Sequence, residues 1–161
     1  MTMERRALLP SLGGNLALFI LLPLLLNGLI FGLGWNQGTR AAQGQLPGVP
    51  PGWVVGTLWM VLFAGMGVAR WLLVRVRGGR WSVTAEGVSL LGILCLLYPL
   101  YTSGLRDDRV GLIGNVLTVA VAIPLTVVAW RRTAKAGACI AAVCAWLLYA
   151  AAATAVGLYR G

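Results

Sequence analysis

Apolar residues run almost unbroken for about twenty positions at a time, five times over, and polar residues gather in the short intervals between. The runs cover about residues 7–33, 53–74, 83–101, 110–130 and 136–159. Wound as a helix, a run of roughly 20 residues crosses a hydrocarbon core of about 30 Å. The pattern therefore predicts an all-α integral membrane protein, one bundle of five transmembrane helices in a single domain spanning 1–161. Pro23, Pro99 and Pro124 fall inside the runs, which spanning helices tolerate where neighbours satisfy the freed carbonyls. The longest polar interval, 34–52, is rich in Gly, Gln and Pro and reads as a long first loop. The opening Met1–Arg6 with its apolar sequel resembles a signal peptide. However, the run is too long for a signal core and lacks a small-residue cleavage site, so a retained first span is expected. No internal repeat is evident, which disfavours an inverted-repeat transporter.

Composition reinforces this picture. The chain is 59% hydrophobic and 11% charged, where a soluble domain would be roughly a quarter charged. A net charge of +9 could suggest nucleic acid, but the cations sit between the apolar runs and no soluble basic module exists to carry them. Arg5, Arg6, Arg75, Arg77, Arg80, Arg131, Arg132 and Lys135 fall on one side of the predicted topology. Arg40, Arg106, Arg109 and Arg160 fall on the other. In a bacterial-type inner membrane this asymmetry places the N-terminus in the cytoplasm. Cys95, Cys139 and Cys144 all lie in apolar runs and suit small buried hydrophobes; their spacing gives neither a disulfide framework nor a metal site. The chain has no histidine, which removes the commonest metal ligand, acid–base group and haem axial ligand.

Candidate chemistry is sparse. Arg70 and Glu86 are intramembrane charges, each about one turn from a span end, and read as interfacial anchors or as an ion pair. No chain of such groups crosses mid-bilayer, so an ion pump or channel is unsupported. Of seven tryptophans, Trp35, Trp53, Trp71, Trp81 and Trp130 suit an interfacial belt. Trp59 and Trp146 instead lie well inside their spans. Trp59, Phe63, Met66 and Arg70 share one helical face, and Ala142, Trp146, Tyr149 and Ala153 share another. These faces either pack and meet lipid, or line an apolar pocket for a flat hydrophobic ligand, with indole N–H and phenol O–H as polar handles. Gly28–Gly32 forms a GxxxG, Gly65–Ala69 repeats the spacing and the last span is alanine-rich. All allow close helix approach, within the chain or between chains.

The second span opens abruptly on Pro50-Pro51-Gly52-Trp53, then Gly56, Trp59, Leu62 and Phe63. This resembles the signature of the TspO/MBR family, the tryptophan-rich sensory proteins and the translocator protein formerly called the peripheral benzodiazepine receptor. Trp146, Tyr149 and Ala150 are similar to the family's last-span segment, and Leu158-Tyr159-Arg160 to its ending. The third span departs, with Leu94, Cys95, Leu96 and Leu97 where the family has an Asn and a Trp before its proline. The resemblance implies a five-helix bundle, often a homodimer, with a pocket opening toward the first loop. It implies a membrane receptor or carrier for porphyrins such as protoporphyrin IX or haem, or for sterols, in stress response or tetrapyrrole homeostasis. The site residues would be Pro50, Pro51, Trp53, Gly56, Trp59, Phe63, Met66, Ala142, Trp146, Tyr149, Ala150 and Ala153, with no required cofactor or metal. An alternative is an enzyme that degrades porphyrin oxidatively in light through Trp59 and Trp146. A second alternative is a structural or accessory membrane subunit whose aromatics only pack.

Overall fold

The computed structural model describes residues 11–34, 50–105 and 107–160. Arg5, Arg6 and residues 7–10 of the expected first span, most of the first loop with Trp35 and Arg40, and Arg106 lie outside the described residues. Five helices form, each long and apolar enough to cross a membrane: α1 Leu12–Gly32, α2 Gly52–Val76, α3 Val83–Leu105, α4 Asp108–Arg132 and α5 Ala134–Arg160. The described residues contain no β-sheet.

The ends of α2, α4 and α5 lie one to two residues beyond their apolar runs and α3 finishes four beyond, whereas α1 stays inside its run; polar groups cap several of these ends. The Ser11 hydroxyl accepts from the Gly14 N–H at 3.0 Å, and the Asp107 carboxylate from the Arg109 N–H at 2.8 Å. Each satisfies a donor that the first turn leaves without an intrahelical partner. Asp108 in the first turn of α4 and Arg131 and Arg132 in its last also match the helix dipole, so α4 runs past both ends of its apolar stretch. At the end of α2, Gly78 and Gly79 adopt φ of 65° and 81°. The Gly79 N–H closes on the Val74 carbonyl at 3.0 Å. A side chain would strain both positions, so this pair ends the helix. Between α4 and α5 a single residue, Thr133, makes the turn, donating to Ala129 and accepting from Gly137. A Cβ on Gly137 would come within 2.7 Å of the Trp130 Cα, so only glycine permits so tight a corner.

The helices are arranged around the bundle in the order α1, α2, α5, α4, α3, with α2 touching all the others and α1 also against α3. Side-chain meetings fix the directions. Gly67 on α2 abuts Asn15 and Phe19 of α1, Gly87 of α3 abuts Leu125 of α4, and Gly111 of α4 abuts Thr102 of α3. Every sequential pair is therefore antiparallel, as successive crossings require. The α1–α2 crossing is the closest of these to backbone. A Cβ on Gly67 would lie 3.1 Å from the Asn15 carbonyl oxygen and 3.4 Å from the Phe19 Cβ. Gly67→Ile should consequently force the two helices apart at a cost of about 1–3 kcal/mol. Thermal unfolding of the detergent-solubilised variant measures this, and an unchanged midpoint would disprove the close contact.

Packing is uneven along the bundle axis. The core consists of Leu62 to Val74 on α2, Ala85 to Cys95 on α3, Val119 to Ala129 on α4, Ala136 to Leu147 on α5, and Phe19 of α1. All of these segments lie toward the end where α2 and α4 finish and α3 and α5 begin, here termed the basic end. Toward the opposite end, no residue of α2 before Leu62 is buried, and beyond Leu147 α5 buries only Thr154 and Gly157. On α2 and α5 burial therefore falls off toward the far end, whereas α1, α3 and α4 keep Ile30, Thr102, Asn115 and Thr118 buried there.

Candidate ligand-binding site

Helices α2 and α5 bring their inner tryptophans to one level. Gly65 of α2 faces Cys139 of α5, with a Gly65 Cβ 3.8 Å from that of Cys139. Trp59 lies six residues before Gly65, and Trp146 seven after Cys139. At about 1.5 Å per residue both indoles are displaced toward the end opposite the basic one, by about 9 and 10.5 Å. In the same register Ala142 is level with Phe63, and Ala153 with Pro51. Cys139 and Trp146 are two turns apart, so Trp146 occupies the α5 face that meets α2.

Both indoles are half-buried and packed on the core. Trp59 meets Phe63 at 5.7 Å between ring centroids, tilted by 40°. Trp146 stacks on Tyr149 at 5.2 Å and 29°. These offset contacts fix ring orientation as well as burying area. Phe63 is buried and Met66 has no accessible surface, so these two belong to the solid core beneath the indoles. Ala150, Ala153, Pro50 and Gly56 are half-buried, while Ala142 and Pro51 are exposed. Tyr149 is 42% exposed and Trp53 76%. Trp53 thus sits on the outside at the start of α2, in the position of an interfacial aromatic.

The spanning stretches at this level carry no fixed charge. No charged residue occurs between Trp53 and Ala69, between Gly87 and Leu105, or between Val110 and Trp130, nor from Ala136 to Tyr159. Their polar groups are mostly satisfied locally. Thr102, Thr118 and Thr154 each donate to the carbonyl four residues earlier in their own helix, at 2.7, 2.7 and 2.9 Å. Asn115 reaches across from α4 and donates to the Tyr98 hydroxyl of α3 at 3.5 Å. The two indoles thus share a level in an uncharged stretch, Trp146 on the α5 face that meets α2 and Trp59 about 120° around α2 from Gly65. Arg109 stands exposed at the far end, at the start of α4.

The intramembrane charges lie toward the basic end, away from the indoles. Arg70 is 3% exposed. Its Nη2 donates to Glu86 Oε1 at 2.7 Å, its Nη1 to Asn15 Oδ1 at 2.8 Å and its Nε to Ser89 Oγ at 2.8 Å. Of the two alternatives at these positions, the ion pair is what forms, and it ties α1, α2 and α3 together. Asn15, Ser89, Tyr98 and Asn115 were not singled out by sequence reasoning. The usable signal was an amide inside an apolar run, a placement that is costly without a partner.

The search of curated proteins and that of solved structures each returned no match. A family model does match, over residues 17–159, a range that takes in most of α1 and nearly all of the other four helices. That match covers well over half of the chain, including the double proline and both inner tryptophans, and by it the chain belongs to the TspO/MBR family.

Proposed function

We propose that the protein binds a porphyrin, such as protoporphyrin IX or haem, at the level of Trp59 on α2 and Trp146 on α5. There it would act as a membrane receptor or carrier in tetrapyrrole homeostasis or stress response. Family membership and five spanning helices establish a membrane protein with a ligand-binding or transport role in general terms; the porphyrin is the proposal. The observation that supports it is the shared level of Trp59 and Trp146, where burial on α2 and α5 falls off. Stacking of a tetrapyrrole face on indole needs no histidine ligand. The uncharged stretches around them favour the apolar macrocycle face.

Titration of the purified protein with protoporphyrin IX should quench tryptophan fluorescence saturably at micromolar ligand. An apolar sterol competing for the same site would widen the ligand class without removing the site. Absence of saturable quenching by either would defeat the reading.

A second reading, light-dependent oxidative breakdown of the porphyrin, is favoured by the stacked Trp146–Tyr149 pair, which places two oxidisable rings 5.2 Å apart. Under it, illumination should bleach the Soret band of the complex, and Trp146→Phe should slow that bleaching several-fold. Equal rates in both proteins would leave ordinary photobleaching.

The excess of cations at the basic end supports an inner-membrane protein with a cytoplasmic N-terminus. Homodimer formation through α1 is supported by Gly28 and Gly32, which are exposed and have open space where a side chain would be.

A further inference from the structure

The basic end gathers most of the cations of the described residues. Arg75, Arg77, Arg80, Arg131, Arg132 and Lys135 are all exposed there. The acidic residues among the described ones are Glu86, Asp107 and Asp108. The two aspartates belong to the opposite end, and Glu86 is taken up by Arg70 inside the bundle. Two exposed tryptophans share the same end, Trp81 after α2 and Trp130 at the end of α4. Indoles at span ends mark the headgroup level, so these cations stand where lipid phosphates stand. The Arg75 guanidinium lies 5.1 Å from the centroid of the Trp71 ring. That contact holds it back along α2, at the level of the headgroups and short of open water.

We propose that this end is a docking surface for the phosphate groups of anionic phospholipids in the adjacent leaflet, held by Arg75 and Arg77 beside α2 and by Arg131, Arg132 and Lys135 at the α4–α5 corner. Clusters of this kind immediately beside a spanning helix attract anionic lipid electrostatically. The surface is separate from the indole level, which lies in the opposite half.

Its test is lipid retention by the full chain. Protein reconstituted in mixed phosphatidylcholine and phosphatidylglycerol, then extracted gently, is assayed for co-purifying lipid by mass spectrometry. Phosphatidylglycerol should be enriched several-fold over its share of the mixture, and the enrichment should fall as salt is raised during extraction. The combined Arg131→Gln, Arg132→Gln and Lys135→Gln variant should lose most of the enrichment, whereas Arg109→Gln, at the other end, should keep it. Because changing loop cations can disturb insertion, the salt series on the unaltered protein stands as an independent arm. Retention in proportion to the mixture would overturn the proposal, as would enrichment indifferent to salt. Enrichment abolished equally by inorganic phosphate would point to free phosphate as the occupant and would overturn it also.

Discussion

Arg70→Leu is expected to destabilise the protein by about 3 kcal/mol. Removing one member of a buried ion pair strands its partner, typically at 3–5 kcal/mol. The lower figure applies because the Glu86 side chain keeps 37% of its surface accessible. A charge at membrane depth without a partner costs about 2.5–3.5 kcal/mol on insertion scales, which agrees in size. The neutral bonds to Asn15 and Ser89 add less, since interhelical hydrogen bonds in membranes average about 0.6 kcal/mol. Glu86→Gln keeps an oxygen that accepts from Nη2 but leaves the Arg70 charge, 4% accessible, without a counter-ion, so its cost should be of similar size. Arg70→Leu combined with Glu86→Leu should recover most of the loss, as no stranded charge remains. Denaturation of the four proteins in detergent, followed by helicity, separates these cases. A double variant as unstable as Arg70→Leu alone would show that shape, and not charge, makes the junction.

The fold was legible because each span advertises itself over some twenty residues, and bilayer thickness converts that length directly into a crossing. Element ends were less legible. Asp107, Thr133 and the Gly78-Gly79 pair act through backbone hydrogen bonds that hydropathy does not register. The site was half legible. Spacing placed Trp59 with Phe63 and Trp146 with Tyr149, and both pairs do meet. Spacing could not give the relative height of α2 and α5, which follows from the Gly65–Cys139 contact between distant parts of the chain. Nor could it show that Met66, on the same face as Trp59, is sealed inside the core. Periodicity reports a direction around a helix, whereas the loss of burial on α2 and α5 runs along them. The Arg70 junction was open to reasoning only as a pair, since the participation of Asn15 and Ser89 depends on how three helices cross.

Truncating the two inner indoles should produce the largest functional loss. Trp59→Ala and Trp146→Ala are each expected to weaken porphyrin binding about 30-fold, the equivalent of roughly 2 kcal/mol for a desolvated aromatic anchor. Phenylalanine at either position keeps a stacking face and loses only the N–H, so it should cost several-fold less. Trp53→Ala should change affinity by less than about 0.5 kcal/mol, being an exposed surface position away from the shared level. These differences are informative because Trp59 and Trp146 come from helices that are not neighbours in sequence. One ligand sensitive to both must bridge α2 and α5. Helicity and unfolding midpoints of each variant separate lost contacts from lost fold, and the Phe variants guard against collapse of the Ala ones. If Trp59→Ala weakened binding while Trp146→Ala left it untouched in a folded protein, the bridging geometry would be wrong, and the ligand would lie on the far side of α2.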